Sequence, residues 1–570
     1  DMFETTREAQ IHLMPTSKWQ TKCHFVPARD TTRLMRPTVP AFNPTNEMEA
    51  NEEMYSGELP QEDLQLRELD IEPDPDGTTA QVEIRTSMRE RRRPAHLDDY
   101  HVAYESIASR DVLAQECMHP LVYKASTDPD IMYYHQAMQQ PDREQWKKAV
   151  ERELGDHEKG KHWVAVLISS LPKGTKVLPA VWAMRRKRRI ATQEVYKWKA
   201  RLNIDGGKQE HGIHYWETYA PVVGWPIVRF FFVLSLLKGW KTRQLDFILA
   251  YTQADVETDL YMKLPTAYNK PGITPQTHVL KLLKNLYGQK QAGRVWNKYM
   301  TERTIALGFV QSKADECVFY FKNSVMLVYT DDCIIMGPTD KELDIIVAKL
   351  KSSFDITEEG DVCDYLGIKF TKGEDKTISL TQPHLIASIL KDLGLDKPNS
   401  KKEDTPALSS KPLEKHLDRR SHDQNHFDYR SVIGKLNYLE KSTRPDISEA
   451  VHQCARFSSN PRQPHTEAVK RIGRYLQGTP DGGIFMRPGN VQSFECWVDA
   501  SHAGEWKTEG VEDESASARS RMGYVFTYAN CPILWASKMQ TEISLSTTEA
   551  EYMALSMAMR ELIPLVKCRS

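Results

Sequence analysis

The feature that most constrains this chain is a pair of adjacent carboxylates in Tyr329-Thr-Asp-Asp332, set between two short apolar runs at 325–329 and 333–336. Apolar runs of that length around a polar tip read as two strands joined by a tight hairpin. Neighbouring carboxylates at such a tip repel each other, and the arrangement costs stability unless a cation neutralises it. A hairpin that merely uses Asp for its turn chemistry would show the same letters, so the doublet alone leaves both readings open. A third carboxylate shifts the balance. Asp246 ends another apolar strand, Gln244-Leu-Asp-Phe247, and Tyr251 stands five positions further on. A metal pair that clamps an in-line phosphoryl displacement takes bridging carboxylates from separate strands, with oxygen ligands suited to Mg²⁺. For Asp246 by itself, a strand-end cap is the plainer alternative.

Length sets the frame for that hairpin. At 570 residues the chain exceeds one core, and a domain size of about 100–200 residues implies three or four units. The formal net charge of −2 does not point to a nucleic-acid binder, but local runs matter more than the sum. The nine cysteines are scattered, with no C-x-x-C pair and no zinc-like spacing, which fits reduced thiols in an intracellular protein. The most apolar stretch, 227–237, is too short to cross a bilayer and carries Arg229, so no membrane association is expected. The ends read as those of a piece of something longer.

Residues 1–125 lack sustained periodicity, turn acidic over 47–76, and then carry a basic knot at Arg89, Arg91, Arg92 and Arg93. Like-charge blocks with few apolar anchors predict a largely disordered linker. Beyond it the spacing predicts a helix over 142–154 with Asp142 as N-cap, and strands at 163–168, 180–184 and 196–203. Pro226 opens an apolar helix to about 238, a strand follows at 242–247, and a helix is expected over 340–354. The segment 401–430 is polar and reads as a linker before helices at 429–441, 444–458 and 465–476. A last unit has strands at 494–499, 523–527 and 533–535, then a helix from 546 or 547. Strands and helices mixed in this irregular order predict an α+β fold.

Many short blocks now fall into one order: Lys199-Ala-Arg-Leu202, Glu217-Thr-Tyr-Ala-Pro-Val-Val223, Gln244-Leu-Asp246, Leu260-Tyr-Met-Lys-Leu-Pro265 and Leu286-Tyr-Gly-Gln-Lys-Gln-Ala292. They continue through Ser312-Lys-Ala-Asp315, Tyr329-Thr-Asp-Asp332, Tyr365-Leu-Gly-Ile368, Thr443-Arg-Pro-Asp-Ile447, Arg471-Ile-Gly-Arg-Tyr-Leu-Gln-Gly-Thr479 and Ser546-Thr-Thr-Glu-Ala-Glu-Tyr552. From about 142 onward the chain resembles the copia-type (Pseudoviridae-like) LTR retrotransposon reverse transcriptase, part of a Pol polyprotein. So many ordered blocks are far more specific than any single motif.

That resemblance implies a right-hand polymerase with fingers, palm and thumb over 126–400. It implies connection-like helices over 401–490 and a truncated RNase H-like α/β domain over 491–570, with 1–125 lying downstream of an integrase. It makes Asp246, Asp331 and Asp332 the palm carboxylates. Asp246, Asp331 and the backbone carbonyl of Phe247 would hold two Mg²⁺ (or Mn²⁺) ions. One ion would lower the pKa of the primer hydroxyl, and both would neutralise charge on the phosphates. Tyr251 falls at the family's aromatic gate against a ribose 2′-hydroxyl, with core packing as the other reading. Gln291, Lys199 and Arg201 would meet the incoming dNTP. The run Arg185, Arg186, Lys187, Arg188 and Arg189 would meet the template backbone, or else form a solvated face. Trp198, Trp216, Trp225 and Trp240 read more readily as core than as base-stacking platforms.

In the C-terminal unit the resemblance makes Asp499 and Glu549 metal carboxylates of the RNase H-like domain, whose third Asp would fall beyond Ser570. The chain departs from the family pattern at Phe247-Ile-Leu-Ala-Tyr-Thr252, Asn203-Ile-Asp-Gly206 and Asp499-Ala-Ser-His502. The leading expectation is therefore RNA- and DNA-templated DNA synthesis by two-metal nucleotidyl transfer. The alternative is a decayed relict that folds and binds nucleic acid without polymerising, and a third reading is a structural part of the polyprotein. Implied partners are an RNA template, a DNA primer/template, dNTPs, and the integrase and capsid segments of the same polyprotein. Implied localisation is a cytoplasmic virus-like particle whose product goes to the nucleus.

Overall fold

The computed structural model describes residues 130–188, 194–373, 375–397, 401–408, 413, 427–503 and 518–569, together with the backbone of 10–16 and 20–26. Most of the expected 1–125 linker thus lies outside the described residues. Within it, β1 (Gln10–Thr16) and β2 (Gln20–Val26) pair antiparallel, where no regular element was expected.

The first part of the remaining chain is built on two small sheets. β3 (Ile131–Met132) and α1 (Tyr134–Met138) lead into α2 (Arg143–Lys159), followed by β4 (Trp163–Leu167), β5 (Val177–Leu178), β6 (Ala180–Arg188) and β7 (Val195–Ile204). β3, β6 and β7 form one antiparallel sheet. Because side chains alternate across a strand, Trp182 and Met184 of β6 and Ala200 and Leu202 of β7 all face inward, onto Trp146 and Val150 of α2. Asp142 does stand at the helix N-cap, but its side chain makes no cap bond, because Arg186 takes the carboxylate.

The centre of the molecule is a six-stranded sheet. α3 (Trp225–Lys238) precedes β8 (Lys241–Phe247), α4 (Ala250–Gln253), β9 (Tyr261–Met262), β10 (His278–Leu282) and α5 (Ala292–Ala306). Then come β11 (Val310–Gln311), β12 (Val318–Phe321), β13 (Ser324–Tyr329), β14 (Asp332–Gly337), α6 (Asp340–Lys351) and β15 (Ile356–Gly360). The strand order is β11-β12-β13-β14-β8-β15, while β9 and β10 join β4 and β5 in a separate four-stranded sheet. Every residue of β13 is buried, and alternation explains how. Val325, Leu327 and Tyr329 face α3, with Phe230 and Phe231 in the same core, whereas Met326 and Val328 face α5 and α6, with Trp296, Ile346 and Leu350. A strand covered on both faces reads as a continuous apolar run, as this one does. α3 is buried nearly all round, opens with Pro226 and closes on Gly239 in the left-handed conformation.

The last part begins with β16 (Asp364–Tyr365), β17 (Ile368–Gly373), β18 (Thr377–Thr381) and α7 (Pro383–Asp392). It continues with α8 (Tyr429–Ser442), α9 (Ser448–Ala455), α10 (Gln463–Gly478) and β19 (Gly483–Met486), which closes a sheet ordered β16-β17-β18-β19. α7 to α10 share one core, with Ile386 and Ile389 of α7 packed among Val432, Leu436, Val451 and Ile472, so that core straddles the expected boundary at 400. Of the expected linker over 401–430, residues 409–412 and 414–426 lie outside the described residues. Finally β20 (Phe494–Ala500), β21 (Arg521–Tyr528) and β22 (Cys531–Met539) form a meander covered by α11 (Thr547–Arg569), and β2 pairs with β20 at its other edge. Among the described residues, no helix is long and apolar enough to cross a membrane.

Candidate active site

The register of the central sheet brings the three expected carboxylates together. Tyr329 pairs with Asp332, and Asp332 pairs with Asp246 on the neighbouring strand. Directly opposed residues in an antiparallel pair share a face, with Cβ atoms about 4.5–5.5 Å apart. Thr330 and Asp331 form the two-residue tip. Thr330 sits at φ 58°, a conformation that a β-branched side chain rarely adopts. Two hydrogen bonds hold the tip in place: Trp296 Nε1 donates to the Thr330 carbonyl at 2.8 Å, and the Phe247 N–H donates to the Asp331 carbonyl at 3.0 Å. Trp296 itself is wedged against Phe247 and Phe354. The tip is therefore a strained turn locked by packing.

The electrostatics follow from that crowding. Burial raises the Asp246 carboxyl above its usual range, and Asp331 and Glu359 raise it further, against a downward pull from Lys199 and Arg201. Asp332 is pushed up to about 7, first by burial and then by Asp331, Asp246 and Glu359. Glu359, which the sequence reading missed, comes from a bulge in β15 where the register slips between Glu358 and Gly360, and it accepts a 2.6 Å bond from Gln244. Like charges this close disfavour ionisation unless a cation joins them. The donors are carboxylate oxygens, which suit Mg²⁺ or Mn²⁺. Among the described residues, no three His, Cys, Asp or Glu side chains converge tightly enough to enclose an ion in this structure. The chemistry of the set fits a hard divalent cation.

The other expected contacts divide. Arg185, Lys187, Lys197, Lys199 and Arg201 occupy one face of the β6–β7 pair, since Arg185 opposes Lys199, Lys187 opposes Lys197 and Ala183 opposes Arg201. Burial, followed by repulsion from Arg201, Lys187 and Lys197, lowers the Lys199 ammonium to about 8. Arg201 lies 4.0 Å over the Tyr287 ring, and Tyr287 packs 5.0 Å from Tyr251. Tyr251 is 2% exposed within the core beneath the hairpin, so packing is its observed role.

Arg186 points to the opposite face and is not available to a template. It makes a bidentate pair with Asp142, with both contacts at 2.8 Å. The Arg188 side chain and Arg189 lie outside the described residues. Gln291 is buried and spends its amide on protein: its Oε1 accepts from Gln209 at 3.0 Å, and its Nε2 donates to the His214 carbonyl at 3.3 Å. The residue is 3% exposed, and the bonds it makes are to protein.

The C-terminal pair needs a correction. Asp499 is exposed near the end of β20, but Glu549 is taken up at the start of α11. Its carboxylate accepts the Leu545 N–H at 2.7 Å, and its own N–H donates to Ser546 Oγ at 3.1 Å. Glu551, two residues on, is the carboxylate that meets the strand, accepting the Ala500 N–H at 3.2 Å. Burial raises its carboxyl, partly offset by that bond, and Asp499 adds to the rise.

With this geometry in hand, the chain matches the family model described as reverse transcriptase (RNA-dependent DNA polymerase) over residues 163–408. It is 31% identical over 426 residues to the Retrovirus-related Pol polyprotein from transposon RE1 of Arabidopsis thaliana, covering 74% of this chain and 28% of that one. It is also 31% identical over 456 residues to the corresponding polyprotein from transposon TNT 1-94 of Nicotiana tabacum, covering 77% and 32%. A solved foamy viral protease-reverse transcriptase in complex with double-stranded DNA aligns at TM-score 0.39 and 12% identity, over 73% of this chain and 60% of that one, too loosely to place any element. The class is that of reverse transcriptases. Within it, the chain belongs to the copia-type retrotransposon Pol polyprotein family, and it spans about a third or less of the curated relatives it matches.

Proposed function

We propose that this chain synthesises DNA on an RNA or DNA template by nucleotidyl transfer at Asp246, Asp331 and Asp332. The observation that carries the reading is the direct opposition of Asp332 and Asp246 on adjacent strands, with Asp331 tied to Phe247 beside them. In this reading the six-stranded sheet is the palm. The β3-β6-β7 sheet belongs to the fingers, and its basic face meets the triphosphate and template phosphates through Lys199, Arg201, Arg185 and Lys187. Bound Mg²⁺ would supply Lewis-acid activation of the primer hydroxyl and charge neutralisation on the phosphates. The residues' own part is to hold that charge in a half-buried setting, with the tip fixed by Trp296. The meander β20–β22 with α11 is the RNase H-like part, with Asp499 and Glu551 as its facing carboxylates. RNA and DNA strands, dNTPs and the remaining polyprotein segments are the partners this implies.

Primer extension on an RNA template with Mg²⁺ or Mn²⁺ tests the proposal. Asp331→Asn should lose at least about 100-fold in rate, the scale of removing one preorganised electrostatic contact to developing charge. If wild type and Asp331→Asn extend equally poorly, the chain is a folded relict and the polymerase reading is wrong.

A further inference from the structure

We infer that the loop after β7 is a base-stacking platform for the unpaired template strand, an inference that rests on the polymerase reading above. Ile213, Trp216 and Tyr219 stand within seven positions of one another and are 61%, 57% and 49% exposed. Trp216 is thus not core, contrary to the expectation from sequence. Large apolar side chains on a mobile loop would need no explanation, but this loop is pinned. Gly212 N–H donates to the Tyr215 carbonyl at 2.9 Å, and His211 pairs with the Trp216 carbonyl at 3.1 Å. Lys290 Nζ reaches the Tyr215 hydroxyl at 3.1 Å, and Gln291 holds the His214 carbonyl. The polar groups fix the backbone while Ile213 and Trp216 stay more than half exposed.

Position selects the occupant. The loop continues directly from β7, whose basic face is charge-complementary to phosphate. Downstream, the chain runs past Ala220, whose Cβ lies close to Gly293, to Val223, whose N–H donates to Val328 of the catalytic hairpin at 3.2 Å. In this reading a template strand meets the cations of the β6–β7 face with its phosphates and the exposed rings with its bases. That pairing of a basic track with stacking rings is how proteins hold single-stranded nucleic acid without reading its sequence.

The test compares a labelled primer–template carrying a 5′ single-stranded overhang with a blunt duplex of the same length, by fluorescence anisotropy with the full chain. Trp216→Ala combined with Tyr219→Ala should weaken overhang binding about tenfold, the effect of losing one stacked base, and leave blunt-duplex binding unchanged. Trp216→Phe should retain most of the affinity, and it keeps the test valid if the double variant folds poorly. Equal binding of the overhang by wild type and double variant, or a wild type with no preference for the overhang, overturns the platform. So does a double variant altered only in oligomeric state, which would mark the loop as a protein interface. If wild type fails to extend primers yet its overhang binding still depends on Trp216, the polymerase reading falls and the platform stands.

Discussion

Asp142 shows how one residue can look like one device and serve as another. Its carboxylate is lowered to about 2, first by the hydrogen bonds from Arg186 and with Trp198 contributing, against a burial penalty. The folded-state value lies below the ordinary 3.8, so the stabilisation is fully present above about pH 4 and is lost as pH falls through 2. Asp142→Asn should therefore lower the urea midpoint at pH 7, by about 1–2 kcal/mol for a partly solvated charged pair. The gap between wild type and variant should shrink steadily as pH falls from about 4 toward 2. A gap that does not shrink over that range would mean that packing, not ionisation, carries the effect. The sequence held the clue to Arg186: once the strand extends past Met184, period-two alternation places 186 on the core face and 185 and 187 opposite. Likewise Ser546-Thr-Thr-Glu549 is the S-x-x-E pattern of a capping box, which leaves Glu551 for the sheet. Glu359 left no such trace, because its place depends on a bulge whose register is set by β8, far away in sequence.

Among the elements, β7 and the block 286–291 form the joint between the basic face and the central sheet. Ile204 N–H donates to the Tyr287 carbonyl at 2.9 Å, and the next residue, Gly288, sits at φ 91°. A Cβ added to Gly288 would lie 2.2 Å from the Ile204 carbonyl oxygen. Backbone meets backbone there, so no rotamer can relieve the clash. Gly288→Ala should cost about 2–3 kcal/mol in a urea titration, from strain plus the displaced strand. It should also move Tyr287 from beneath Arg201. Gly293→Ala is the control: its new Cβ would sit 3.4 Å from Ala220, an ordinary contact, and Ala outranks Gly in a helix by up to about 1 kcal/mol. If both substitutions cost the same, the close approach is not what holds the joint. The main elements here were legible because strong periodicity and Pro or Gly punctuation coincide, as at Pro226 and Gly239. The hairpin 10–26 was not, because its pairing with β20 is long-range and its own letters carry no clean alternation.

The scale of the whole molecule turns on Arg229, the cation inside the most apolar helix. It is fully buried on α3, and burial lowers it to about 9, with Glu440 pulling the other way. Its guanidinium lies 4.0 Å over Trp535 of β22, and it donates to the carbonyls of Trp225 and Lys441, both at 3.2 Å. Trp535 Nε1 in turn donates to the Glu440 carbonyl at 2.9 Å. One side chain thus joins α3 beneath the central sheet, the end of α8, and the C-terminal meander. Around it the apolar core is continuous: Phe230 packs 5.5 Å from Phe494 and 5.1 Å from Tyr528. A continuous core predicts that the central sheet and the meander unfold together. Arg229→Ala removes volume and leaves the Lys441 carbonyl and the Trp535 face without their partner, so it should cost about 3 kcal/mol or more. It should also split one calorimetric transition into two, with the meander melting first. Arg229→Met keeps most of the volume but still orphans the Lys441 carbonyl, so it should cost less than Ala and keep a single transition. Hydrogen exchange read separately at β14 and β21 decides the matter: if wild type already protects the two strands to different extents, the shared core does not couple them and Arg229 is no joint.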